Sequence, residues 1–85
     1  MNLKEYTGHI TQIMAGDSGV YFYIDALGGY ACAERTDPLY TERQNVLLAA
    51  AVNGFQVRVW VDGDDGSTGA DAWPLRAQTY VDLNS

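Results

Sequence analysis

The sequence predicts a mainly β domain with one helix, arranged as a five-stranded OB-type Greek-key barrel. Short segments of alternating apolar and polar residues are separated by turn residues, chiefly glycine, and one helical segment lies between the third and fourth of them. A closed barrel would also remove the exposed strand edges that invite aggregation of so small a sheet. An open sheet with one helix is the alternative.

Five segments are predicted as strands, and they lie at residues 6–14, 20–25, 30–35, 55–61 and 75–83. The second shows a clear two-residue period. Its apolar residues Val20, Phe22 and Ile24 are predicted to face the core, which places Tyr21 and Tyr23 on the opposite face.

The last two strands are predicted to contribute much of the core. The inward residues of the fourth strand are predicted to be Phe55, Val57, Val59 and Val61. Those of the fifth are predicted to be Leu75, Ala77, Val81 and Leu83. The same alternation directs Trp60 outward, where a tryptophan is a candidate for an interface or a ligand platform.

The helix is predicted at residues 39–52. Asp37 can cap free amides and Pro38 fits a first helical turn, while Asn53 and Gly54 are typical of a helix end.

Within this helix, residues 46–52 are seven consecutive apolar residues, which cover the whole circumference. Because the core of one small domain can cover one side, this run predicts self-association as a ring or dimer. The predicted interface residues are Val46, Ala49, Ala50 and Trp60. The alternative is that the alanines are simply exposed, since alanine is a good surface helix former.

The composition is that of one compact domain spanning residues 1–85. Hydrophobic residues make up 47% of the chain, which is too many for a disordered protein. The net charge of −6 argues against nucleic-acid binding and against an anionic membrane surface. The N-terminal residues lack a signal-peptide pattern and Cys32 is the single cysteine, so we expect a cytoplasmic protein, or a secreted one if the chain begins at a mature N-terminus.

The sequence offers no candidate catalytic residue, metal site or cofactor. His9 is the only histidine, and no nucleophile has a base close to it in sequence. The acidic loop 62–71 does not match a calcium-binding EF-hand, because Ser67 and Trp73 stand where glycine and glutamate are required. We therefore predict a protein that binds a ligand without catalysis, with the outward rings of Tyr21 and Tyr23 as sugar platforms. Half-buried tyrosines that support a neighbouring strand are the alternative.

Four motifs occur in a defined order along the chain, and they are Tyr21-Phe22-Tyr23-Ile24, Ala31-Cys32-Ala33, Gln56-Val57-Arg58-Val59 and Trp73-Pro74-Leu75. In this order they resemble the B subunits of subtilase cytotoxin and of related pertussis-like and typhoid toxins. The resemblance implies an OB-fold ring, a pentamer in preference to a dimer, that binds sialylated glycans.

Two departures from the family pattern bear on function. Tyr23 stands where the family has the cysteine that pairs with the one matching Cys32, so the resemblance implies that this disulfide is lost. Thr7 is the nearest match to the family's sugar-contacting serine. Three hypotheses follow: a glycan-binding ring, a cytoplasmic interaction or scaffold module without a sugar ligand, and a single-strand nucleic-acid binder that the net charge disfavours.

Overall fold

The computed structural model describes residues 2–63 and 72–84, which form six strands and one helix. The strands are β1 (Leu3–Gly8), β2 (Ile10–Ala15), β3 (Gly19–Ile24), β4 (Gly29–Glu34), β5 (Gln56–Asp62) and β6 (Ala72–Asp82). Helix α1 (Tyr40–Asn53) lies between β4 and β5. The prediction of a mainly β fold with one helix is confirmed, and the helix is displaced by one residue from its predicted bounds.

The strands form one mixed sheet in the order β1-β5-β6-β4-β3-β2. β5 pairs antiparallel with β1 and β6, β3 pairs antiparallel with β2 and β4, and β4 runs parallel to β6. The two strands at the ends of this order, β1 and β2, are consecutive in the chain and are separated by His9 alone. The prediction treated them as one strand at residues 6–14, so the helix follows the fourth strand and not the third.

The carboxylate of Asp25 holds the junction between β1 and β2. Its Oδ1 accepts hydrogen bonds from the backbone N–H of His9 at 2.9 Å and of Ala26 at 2.7 Å. These bonds, led by the one from His9, lower the pKa of Asp25. A side chain at Gly8 would collide with the same carboxylate, so glycine permits the close approach of β1 to the turn after β3.

The core lies on the inner faces of β3, β4 and β5 and beneath α1. It confirms the predicted inward positions of the second and fourth predicted strands, including Phe55, which is half-buried and packs against the core. The fully or almost fully buried residues there are Val20, Phe22, Ile24, Val57, Val59 and Val61. The helix contributes Leu47 and Ala50 to the same cluster. Two-residue alternation therefore predicts the core well where the sheet is regular.

Alternation in β6 holds for Leu75, which is fully buried, and for Val81, which is half-buried and packs against the core. Ala77 and Leu83, both predicted to face the core, are exposed. Ala77 lies in a β-bulge, and Leu83 lies beyond the last residue of β6. A bulge leaves its extra residues unpaired, so simple counting does not place them.

The bulge lies opposite the middle of β5. Neighbouring residues Val59 and Trp60 pair with Thr79 and Arg76, so residues 77 and 78 of β6 have no counterpart in the register. Ala77 has a φ of +57°, in the left-handed region that a residue with a side chain seldom adopts. The backbone of β6 therefore carries local strain within the bulge.

Turn chemistry agrees with the sequence at the C-terminal end of α1, but at its start the N-cap is Leu39 without a side-chain cap hydrogen bond, and Pro38 lies before the first turn. Oδ1 of Asp37 accepts a hydrogen bond from the N–H of Leu39 at 2.8 Å, just before the helix begins. At the other end Gly54 has a left-handed conformation with a φ of +70°. No helix in the described part of the chain has the length and apolar character needed to cross a membrane.

Candidate ligand-binding surfaces

The domain covers more of the apolar run 46–52 than its sequence suggests. Leu47 and Ala50 are fully buried and Val46 is half-buried, because α1 packs against β2, β4, β5 and β6. Val52 is 83% exposed and Ala49 is also exposed. Since Ala50 is fully buried within its own subunit, the prediction that it contacts a second copy is wrong.

The two predicted sugar platforms on β3 are less accessible than alternation implies. Tyr21 is only 6% exposed, in a second apolar cluster with Cys32 and Ala72. Tyr23 is half-buried, and its ring meets the ring of Tyr30 edge-on with centroids 5.2 Å apart. The outer face of β3 and β4 is thus an aromatic packing layer. For Tyr21 this contradicts the predicted ligand role, because its ring is buried in the cluster with Cys32 and Ala72.

This layer also anchors β2. The hydroxyl of Tyr30 donates a hydrogen bond to Oε1 of Gln12 across 2.9 Å. The Cys32 thiol is buried beside Tyr21, its partner across β3 and β4, and forms no disulfide. A small buried thiol packed against aromatic rings serves here as an apolar filler.

The remaining predicted ligand residues, Thr7 and Trp60, lie on the opposite part of the sheet. Thr7 pairs with Arg58, and Arg58 pairs with Tyr80, so the three lie side by side on the outside of β1, β5 and β6. Trp60 lies two residues from Arg58 on the same face and is half-buried. We call this surface, formed by Glu5, Thr7, Arg58, Trp60 and Tyr80, the β5 outer face.

Arg58 organises the β5 outer face. Its guanidinium carbon lies 4.9 Å from the centroid of the Tyr80 ring, a cation–π distance, and its Nε lies 3.6 Å from a Glu5 carboxylate oxygen. Tyr80 remains 49% exposed. A cleft of about 50 Å³ opens beside this pair, lined by residues that include Thr7 and Asp82.

Sequence reasoning missed Tyr80 and Arg58 as candidates. The alternation pattern could have indicated both. It places Tyr80 on the face opposite the inward Val81, and it places Arg58 on the same outward face as Trp60. The pairing of these side chains could not be predicted, because it depends on the register between β5 and β6 beyond the bulge.

A second concave site lies between the N-terminal end of α1 and the bulge. This cleft has a volume of about 280 Å³, and we call it the Arg43 cleft. Its lining residues are Glu34, Thr36, Asp37, Pro38, Arg43 and Arg76. Acidic and basic residues that are far apart in sequence meet here, which no local motif could indicate.

Two ion pairs line the Arg43 cleft. Nε of Arg43 lies 2.7 Å from Oδ2 of Asp37, and Nη1 of Arg76 lies 2.9 Å from Oε1 of Glu34. Burial raises the pKa of Asp37, but the hydrogen bonds from the Leu39 N–H and from Arg43 outweigh it, so the pKa is lowered. Asp37 therefore stays ionised beside Arg43.

Within residues 2–63 and 72–84, no group of three or more His, Cys, Asp or Glu residues is placed to hold a metal ion. Asp64 and Asp65, which prompted the comparison of the acidic loop with an EF-hand, lie outside the described residues.

Comparison with known proteins adds no family or homologue. No family model, no curated protein and no solved structure matches the chain. The features of the molecule that bear on its function are therefore its two candidate surfaces, the β5 outer face and the Arg43 cleft.

Proposed function

We propose that this chain is a non-catalytic, self-associating binding protein of the OB type, which holds a ligand on the β5 outer face. The observation that carries the proposal is the adjacency of Thr7, Arg58 and Tyr80 in register on three neighbouring strands. An exposed aromatic ring, a guanidinium stacked on it and a hydroxyl form a polar and aromatic surface of the kind that binding proteins use.

The strand order supports the OB-type barrel. If β1 and β2 are one strand bent at His9, that strand lies against both β5 and β3, and the sheet has five strands with the helix between the third and the fourth. The separation of β1 from β2 by a single residue supports this interpretation. Closure of the sheet in this way joins the two ends of the strand order.

Self-association is supported by the apolar surface of β2. Ile13 is 44% exposed and Met14 is 40% exposed. Even if β1 and β2 are one bent strand, the β2 half pairs with β3 alone in the described sheet, so its other edge can serve as a template for a second copy. The exposed Val52 on α1 adds to the apolar surface, and the resemblance to toxin B subunits favours a pentamer.

Light scattering coupled to size exclusion tests self-association. We expect a mass that is a multiple of 9.3 kDa and that falls to the monomer value in the variant Met14→Lys. Thr41→Lys, at an exposed position on α1, adds the same charge and should leave the mass unchanged. A wild-type monomer at millimolar concentration would refute this part of the proposal.

The proposed ligand of the β5 outer face is a glycan. The apolar face of a sugar ring can stack on Tyr80, and its hydroxyls can bond to the Thr7 side chain. The resemblance further suggests a sialylated glycan, whose carboxylate would pair with Arg58. In a glycan array we expect Tyr80→Ala to abolish binding and Tyr80→Phe, which keeps the ring, to preserve it. If the wild type bound neither sialylated nor neutral glycans on the array, a sugar ligand would be ruled out.

The small size of the cleft beside Tyr80 favours a second candidate, a protein-interaction module. A volume of about 50 Å³ lies far below the roughly 300–1,000 Å³ of usual small-molecule sites. A protein partner needs a flat face with an exposed aromatic anchor instead of a pocket. The interaction module is supported if no glycan binds on the array and if a defined protein partner binds the wild type and Tyr80→Phe but not Tyr80→Ala.

A further inference from the structure

We infer that the Arg43 cleft is a second binding site, which takes a neutral polyhydroxyl ligand of about one sugar ring. It lies at the N-terminal end of α1 and shares no lining residue with the β5 outer face. The inference is therefore independent of the proposed function.

The strongest observation is the state of the Arg43 side chain. This side chain is only 7% exposed, and it belongs to the lining of the cleft. Its Nε donates to Asp37 and its Nη1 donates to Oγ1 of Thr79 at 3.2 Å. Nη2 donates to no acceptor among the described residues. Because a desolvated charged donor without a partner costs free energy, a hydrogen-bonding ligand at Nη2 would be stabilised there.

Arg76 provides further donors. Its Nη1 is shared between Oε1 of Glu34 and the carbonyl oxygen of Leu75, both at 2.9 Å. Its Nε and Nη2 have no acceptor in the described part of the chain, and Oε2 of Glu34 has no donor there. The wall of the cleft thus combines unused donors with an unused acceptor a short distance apart.

The charge balance selects the class of ligand. Glu34 and Asp37 offset Arg43 and Arg76, so the lining has no net charge. An anion would meet two carboxylates, and a cation would meet two guanidinium groups. A hydroxyl both donates and accepts hydrogen bonds. A sugar ring with neighbouring hydroxyls can therefore bond to the arginine donors and to the Glu34 acceptor at the same time.

The volume of the cleft and the strained backbone beside it are both typical of a binding site. A volume of about 280 Å³ lies at the lower end of the usual range for small-molecule sites, roughly 300–1,000 Å³. The strained residue Ala77 directly follows Arg76, and it belongs to the bulge that sets the position of Arg76 against Glu34. Strained residues and bulges are enriched at functional sites.

Nuclear magnetic resonance on the ¹⁵N-labelled full chain tests the inference. Glucose, galactose and mannose are titrated separately, and sodium sulfate at matched ionic strength is the anion arm. We expect saturable shifts of the Arg76 Nε–H resonance and of the backbone amides of residues 34–37 with at least one sugar. Absence of saturable shifts with all three sugars, or saturable shifts with sulfate alone, would overturn the inference.

Two variants locate the ligand. Glu34→Gln should weaken sugar affinity by about tenfold, because it removes a charged partner of Arg76 and of the ligand. Thr36→Val, which leaves both ion pairs in place, should weaken it by a few-fold if the Thr36 hydroxyl bonds the ligand. Glu42→Gln is the matched control, since Glu42 is exposed on α1 outside the cleft lining and should not change affinity.

Circular dichroism checks that each variant is folded. Unchanged affinity in both folded cleft variants would refute the assignment. Tyr80→Ala should leave these titrations unaffected, so failure at the β5 outer face and failure at the Arg43 cleft are distinguishable.

Discussion

β5 and β6 are neighbours in the sheet, but they relate sequence to structure in different ways. β5 alternates without interruption, with Val57, Val59 and Val61 buried. β6 is interrupted by the bulge, so counting by two fails at Ala77, although Leu75 and Val81 on either side of the bulge both face the core. Both candidate binding surfaces use β6 residues, Tyr80 on one and Arg76 on the other. The irregular strand thus reaches both binding surfaces, whereas the regular strand contributes to one of them and to the core.

The largest expected effect separates two leucines that alternation treats alike. Leu75→Ala should lower the free energy of unfolding by about 2–5 kcal/mol, since Leu75 is fully buried and the substitution leaves a cavity. Leu83→Ala, beyond the bulge at an exposed position, should change it by less than about 0.5 kcal/mol. Urea unfolding measures both. Similar losses would mean that Leu83 is covered in solution, for example by a second copy.

The next effect concerns the ion pair at the edge of the Arg43 cleft. Asp37→Asn should lower the free energy of unfolding by roughly 1–3 kcal/mol, because the buried Arg43 loses its charged partner. The control Glu5→Gln removes an exposed partner of Arg58 and should cost at most about 1 kcal/mol. Equal losses in urea unfolding would contradict the burial of the Asp37–Arg43 pair.

A smaller effect tests the bulge itself. Ala77→Val should lower the free energy of unfolding by about 1–2 kcal/mol, because a β-branched residue tolerates a φ of +57° poorly. Ala77→Gly relieves this strain but adds freedom to the unfolded chain, so we expect a net change below about 1 kcal/mol. The same urea experiment applies. If valine were tolerated as well as glycine, β6 would not be bulged at this position.

The smallest expected effect is a loss of folding stability as the pH falls into the acidic range. The pKa values of Asp25 and Asp37 are lowered in the folded state, so each carboxylate contributes stability above its unfolded pKa of about 3.9 that is lost as the pH falls through the folded value. Urea midpoints should therefore decrease from pH 5 downward. Asp25→Asn should flatten part of this decrease, and an unchanged slope would show that the carboxylate does not hold the β1–β2 junction.

The sequence predicted most elements because their signals are local. The start signals Asp37 and Pro38 and the stop at Gly54 located α1 within one residue. The division of the first strand at His9 was missed, since it depends on contact between Gly8 and the distant Asp25. Trp60 was correctly placed on the outward face of its strand. Tyr21 also lies on the face opposite the main core, but its ring is buried there against Cys32 and Ala72, which alternation could not predict.

By itself the sequence determined the mainly β class, the helix, the turns and the inward faces of the regular strands, because periodicity and turn chemistry act over a few residues. Only the tertiary structure decided which strands are neighbours, where β6 is bulged and which charged side chains meet at the Arg43 cleft. Those features depend on register between segments far apart in the chain. A shift of one residue in that register exchanges the two faces of a strand, and no local pattern specifies it.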